Sequence, residues 1–145
     1  MHLNIIIAVC MMFVTTTIHA GGMLLVVQMS ALHQGPLTSG LKRLSLVSGV
    51  VILMFLASVL EVLVWAITYL ALNAIQGLEK ALYFSMVTFT TLGYGEIVLD
   101  EQWRLLASFE AANGIIMFGW TTAIVIAVVS VITLAKNMLD DRLQL

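Results

Sequence analysis

The stretch Leu78-Glu79-Lys80-Ala81-Leu82-Tyr83-Phe84-Ser85-Met86-Val87-Thr88-Phe89-Thr90-Thr91-Leu92-Gly93-Tyr94-Gly95-Glu96 decides how this chain is folded. Its apolar part, residues 81–91, is too short to cross a bilayer, because a spanning helix needs roughly 20 mostly apolar residues. A helical approach from Leu78 to about Thr90 then meets Gly93-Tyr94-Gly95, which cannot continue as regular helix. Two glycines flanking one residue allow positive and negative φ to alternate. In that geometry successive carbonyls point to the same side of the chain. A short non-spanning helix is tolerated at membrane depth only where protein or a water-filled cavity surrounds it.

The sequence around this stretch is that of an integral membrane protein. Of its 145 residues, 61% are hydrophobic and 10% charged, against roughly a quarter charged in a soluble domain. Mean hydropathy is +1.09. The length suits one domain. A net charge of −2 without a basic run argues against a nucleic-acid partner. The single Cys10 excludes an intrachain disulfide framework and a thiolate cluster. No nucleophile elbow, zinc-binding helix pair, phosphate loop or dinucleotide fingerprint is present, so an enzyme acting on a small-molecule substrate is not expected.

Charge positions mark the spans. Residues 1–41 carry no Asp, Glu, Lys or Arg, only Glu61 interrupts the run from 44 to 78, and residues 111–135 carry none. Three helices are predicted, at about 3–29, 44–72 and 105–134. The first lacks the basic n-region of a signal peptide and reads as a retained helix. Lys42 and Arg43 in the first loop and Lys136 and Arg142 in the tail belong in the cytoplasm by the positive-inside bias. The N-terminus and the acidic second loop (Glu79, Glu96, Asp100, Glu101) then lie outside, where they attract cations. Gly35, Pro36 and Gly40 predict a turn between the first two spans. The layout is a first helix and cytoplasmic loop (1–43), a unit of outer helix (44–72), re-entrant segment (78–96) and inner helix (105–134) within 44–135, and a short tail (136–145).

On the third span Ile115, Phe118, Thr122 and Ile126 share one helical face, a candidate lining and apolar constriction. Glu61 and Glu110 lie at membrane depth, where ionisable groups are functional candidates. The preferred role is hydrogen bonding to the back of the re-entrant helix or across subunits, with Thr15, Thr16 or Asn113 as partners; proton sensing is the sharper alternative. His19 forms a small polar stripe with Thr15 and Gly22, suited to helix contact rather than to a metal. His2 and His33 have no companion at ligand spacing. Trp103 and Tyr69 are placed near the outer interface as anchors.

Thr90-Thr91-Leu92-Gly93-Tyr94-Gly95-Glu96 resembles the filter of the pore-loop potassium channels, in particular the small prokaryotic ones with a two-helix pore domain. Phe118-Gly119-Trp120-Thr121-Thr122-Ala123 is similar to that family's cavity-lining stretch, and Gly114 stands about where it has a hinge glycine. The resemblance covers roughly residues 44–134, leaving the first helix outside. It implies an all-α membrane fold with three spans plus a pore helix and filter. A single pore loop supplies one wall only, so several copies are needed, and the resemblance implies four, a homotetramer surrounded by lipid. It implies that Thr91 gives a hydroxyl and a carbonyl to a dehydrated potassium ion, Leu92, Gly93 and Tyr94 give carbonyls above it, and Gly95 sits at the mouth. No cofactor is implied beyond the permeating potassium. The Tyr94 ring would brace against Tyr83 and Phe84. Leu92 replaces the commoner valine, Glu96 the usual aspartate, and Val87 a carboxylate found in some relatives, so the brace of Glu96 falls to Tyr83 or Trp103. The expected function is passive potassium conduction across a bacterial inner membrane. The alternatives are a weakly selective monovalent cation channel, a non-conducting accessory subunit, or a proton-coupled transporter using Glu61 and Glu110.

Overall fold

Asn4, Ala8, Met11, Thr15, His19, Gly22 and Val26 recur every three or four residues and are all buried, which is the stripe a helix presents to its neighbours. They belong to α1 (His2–Leu32), the first of four helices in a computed structural model that describes residues 2–32 and 40–143. The others are α2 (Gly40–Ala71), α3 (Leu78–Phe89) and α4 (Arg104–Leu143). Three of them, over His2–Ser30, Gly40–Ala71 and Arg104–Leu134, are long and apolar enough to cross a membrane. The turn expected at Gly35 and Pro36, and His33, lie outside the described residues.

Hydroxyls inside these helices fold back on the backbone. Thr15 donates to the Met11 carbonyl at 3.0 Å, Thr68 to Val64 at 2.9 Å and Thr122 to Phe118 at 2.9 Å. These bonds keep each hydroxyl hydrogen satisfied within its own helix, where lipid offers no partner. α2 ends where Asn73 turns left-handed with φ 51°. The Asn73 N–H donates to Leu70 at 3.0 Å and the Ala74 N–H to Tyr69 at 2.9 Å, closing the last turn. After Gly77, at φ 94°, α3 starts with Glu79 in its first turn, where an acid suits the positive end of the helix dipole.

α4 departs from the expected boundary. Instead of stopping at 134 before a tail, it runs 40 residues to Leu143, about 60 Å at the helical rise. No glycine or proline follows Gly119 to stop it. α2 likewise begins at Gly40, four residues early, and takes Lys42 and Arg43 into its first turns.

α3 is cradled between α2 and α4, while α1 packs on α2 and α4 and does not meet α3. The main core lies behind α3, where Trp65, Tyr69, Phe84, Phe89, Leu106 and Met117 are buried together. Phe84 meets Tyr69 edge-on at 5.2 Å. Tyr69 is therefore not an interfacial anchor. It is fully buried, because Glu61, Trp65 and Tyr69 follow one another at one-turn spacing on the packed face of α2. Asn4 donates to the Gln102 carbonyl at 2.5 Å, which puts the start of α1 beside the start of α4. Those two helices run parallel.

Candidate functional site

α3 closes with the same backbone device as α2. The Thr91 N–H donates to Thr88 at 2.9 Å and the Leu92 N–H reaches back to Val87 at 3.0 Å. The left-handed residue at this closure is Thr91, at φ 61°. That is a strained conformation for a β-branched side chain. Gly93 at φ 55° and Gly95 at φ 83° are also left-handed, and Leu92 and Tyr94 between them are not. The handedness thus alternates residue by residue from Thr91 to Gly95, one step further toward the helix than the two glycines alone would provide. Thr90 hydrogen-bonds the Met86 carbonyl through its hydroxyl at 2.7 Å and finishes the helix.

Residues 91–96 are all exposed on the single chain. Leu92 is 57% and Tyr94 64% accessible. Behind them lies a cavity of about 250 Å³ between Phe84 and Val87 of α3, Tyr94 and Glu96 of the loop, and Ala107 of α4. The Tyr83 hydroxyl donates to Glu96 Oε2 at 2.5 Å. This bond ties the second turn of α3 to the residue beyond Gly95, and it raises the Tyr83 hydroxyl above the usual tyrosine value. Trp103, the other candidate for bracing Glu96, is instead buried in the core with Leu99 and Leu106. Phe84 turns its ring to Tyr69, and no ring contact to Tyr94 exists among the described residues. Within one chain the loop is braced by a hydroxyl–carboxylate bond, not by an aromatic stack.

The far end of α3 rests on α4. A Cβ on Gly114 would lie 1.9 Å from the Phe89 carbonyl oxygen, so only glycine allows this approach. The Phe89 and Phe118 rings meet edge-on at 5.6 Å just below. The position expected to be a hinge thus carries a steric duty, seating the pore helix on α4. Ile115, Phe118, Thr122 and Ile126 fall on the next face of α4, exposed on the single chain.

The two buried carboxyls do not use the partners expected of them. Thr15 and Asn113 bond each other, Nδ2 of Asn113 donating to Thr15 Oγ1 at 3.0 Å, and Thr16 is exposed. Glu61 Oε1 lies 2.8 Å from His19 Nδ1. His19 Nε2 is 3.1 Å from Thr121 Oγ1, and its ring sits 5.2 Å from Trp120. Glu110 takes the Tyr69 hydroxyl on Oε2 at 2.6 Å and faces Ser85 Oγ across 2.5 Å. The reason is rotation about α4. Asn113, three residues on, faces α1, whereas Glu110 faces α2 and α3. Sequence reasoning gave Ser85 no role, and it placed Thr121 in the cavity-lining stretch, whereas its hydroxyl faces His19 of α1. Ser85 lies one turn before Phe89 on α3, and that spacing was the available signal.

A family model described as ion channel matches residues 46–131, more than half of the chain. No curated protein matches. No solved structure matches either.

Proposed function

The chain belongs to this ion-channel family, an all-α membrane channel, and from that premise we propose that it conducts potassium selectively through a filter built by four copies of residues 91–95. One observation carries the reading. At the C-terminus of a helix of 12 residues, too short to span, backbone handedness alternates from Thr91 through Gly93 to Gly95. Alternation of this kind turns successive carbonyls to one side, and rings of carbonyls replace the water shell of a dehydrated cation. The negative end of the α3 dipole adds to the attraction. One chain supplies one such strand, and its exposed face calls for neighbours, which closed cyclic symmetry provides.

In this reading Thr91, Leu92, Gly93 and Tyr94 hold the ion and Gly95 forms the mouth. Thr90, Tyr83 and Glu96 keep the strand in place. Ile115, Phe118, Thr122 and Ile126 face the axis as cavity and constriction. The N-terminus lies outside a bacterial inner membrane and α4 ends in the cytoplasm.

The test is the reversal potential of the purified protein in a planar bilayer, with potassium on one side and sodium on the other. A reversal far from zero, toward the potassium equilibrium potential, is expected. Current reversing near zero would leave a channel and remove the selectivity. That weakly selective reading draws on one feature, the exposed Tyr83–Glu96 bond, as the only side-chain brace on the loop among the described residues.

A further inference from the structure

Behind α3 lies a polar junction away from the ion path. Glu110 on α4 is fully buried. The Tyr69 hydroxyl of α2 is 2.6 Å from its Oε2. Ser85 Oγ of α3 is 2.5 Å from its Oε1 and, at the same time, 2.9 Å from the Val62 carbonyl oxygen of α2. Three oxygen–oxygen contacts of hydrogen-bond length therefore meet on two hydroxyls, one carboxyl and one carbonyl.

Each such contact needs one hydrogen. Tyr69 brings one and Ser85 brings one. A carboxylate brings none, which leaves one contact with two oxygens and nothing between them. A carboxylic acid brings the third. Glu110 then donates from Oε1 to Ser85, Ser85 donates to the Val62 carbonyl, and Tyr69 donates to Oε2. The partners of Glu110 among the described residues are the hydroxyls of Ser85 and Tyr69, with no cation beside them to offset a charge. An unpaired buried charge is strongly destabilising.

The same junction sets the register of the pore helix. Ser85 meets Glu110 and, one turn further along both helices, the Phe89 carbonyl meets Gly114. Two contacts a turn apart on parallel helices fix both the rotation and the height of α3. We propose that Glu110 is a positioning residue, held as a neutral carboxylic acid, that locks the middle of α3 to α2 and α4 and so sets where the helix delivers Thr91 to the ion path. The proposal rests on the reading of residues 91–95 as the filter.

Glutamine reproduces the acid's pattern, since its carbonyl accepts from Tyr69 and its NH2 donates to Ser85. Alanine removes both bonds. The experiment pairs infrared difference spectroscopy of wild type minus E110Q in lipid with bilayer recordings of wild type, E110Q and E110A. We expect wild type to show the C=O stretch of a protonated carboxyl that E110Q lacks. The potassium-to-sodium permeability ratio should stay within about twofold in E110Q and fall about tenfold or more in E110A, where two buried hydroxyls lose their partner. A carboxylate band in place of the acid band overturns the proposal. So does an E110Q channel as impaired as E110A, because the charge would then be what matters. If E110A does not assemble, the difference spectrum and E110Q decide. A wild type without selectivity refutes the filter reading alone, and the same comparison is then read on conductance.

Discussion

The seam between α3 and α4 and the seam between α1 and α4 both run in parallel register, yet they are made of different material. At the first, the Phe89 carbonyl stands where a Gly114 side chain would be, one turn beyond the Ser85–Glu110 contact and beside the Phe89–Phe118 ring pair. At the second, side chains reach across at three depths: Asn4 to the Gln102 carbonyl, Asn113 to Thr15, and Thr121 with His19, which also holds Glu61 of α2. On its other side α1 meets α2 at Gly22, where a Cβ would stand 3.3 Å from the Ala57 Cβ. The family match begins at residue 46, so it includes the first seam and not the second. Lipid tails are as apolar as the helices themselves, so small residues and polar bonds decide where helices sit. A backbone contact leaves no room for adjustment and fixes where α3 sits on α4. A ladder of side chains can shift by tenths of an ångström.

The largest expected effect therefore belongs to Gly114. G114A should push α3 off α4 at a cost of about 3 kcal/mol or more, seen as a lower melting temperature in detergent and loss of current. G22A is its counterpart on α1, where the new Cβ meets Ala57 and Met54 of α2, and should melt within about 1 kcal/mol of wild type with current retained. Equal effects of the two substitutions would break the comparison.

Next comes His19. Glu61 Oε2 has no hydrogen-bond partner among the described residues, so H19A strips the carboxyl of its one recorded bond. Such a group left unpartnered costs about 1–3 kcal/mol, and thermal melting of H19A, E61Q and the double variant should reveal coupling between the two sites. Selectivity should survive in each, because α1 does not meet α3. A permeability ratio that collapses in H19A would show that the α1 seam also aims the filter.

The smallest effect is expected at Tyr83. Its hydroxyl titrates higher than usual, chiefly through the bond to Glu96. The bond is therefore fully present below the ordinary tyrosine value of about 10 and is lost as pH rises through the raised value. Wild type should exceed Y83F modestly in potassium-to-sodium ratio at neutral pH, and the two should converge in strong alkali. A constant difference across that range would mean that ring packing, not the hydroxyl, holds the loop.

Much of this was legible in the chain. Gaps in the charge pattern located three spans, and the shortness of residues 81–91 marked the re-entrant helix. The glycines at 93 and 95 announced the alternation of handedness, although its extension to Thr91 came from the closure of α3. Less visible were the directions side chains take. Tyr69 reads equally well as an interfacial anchor until α2 is rotated to bury Glu61, Trp65 and Tyr69 together. Thr15 and Asn113 are plausible partners for a buried carboxyl, and they satisfy each other instead.

The sequence by itself determined the class of solvent, the number of crossings and the break in the pore segment. These follow from local properties: apolar length against bilayer thickness, the freedom of glycine, and the position of charges. Tertiary structure alone decided that Glu61 belongs to His19 and Glu110 to Ser85 and Tyr69, and that Gly114 is the seat of Phe89. In a helix a small rotation about the axis moves a side chain from one neighbour to another. In lipid nearly every face is apolar, so hydropathy does not encode that rotation, and only the joint satisfaction of a few polar atoms and close contacts selects it.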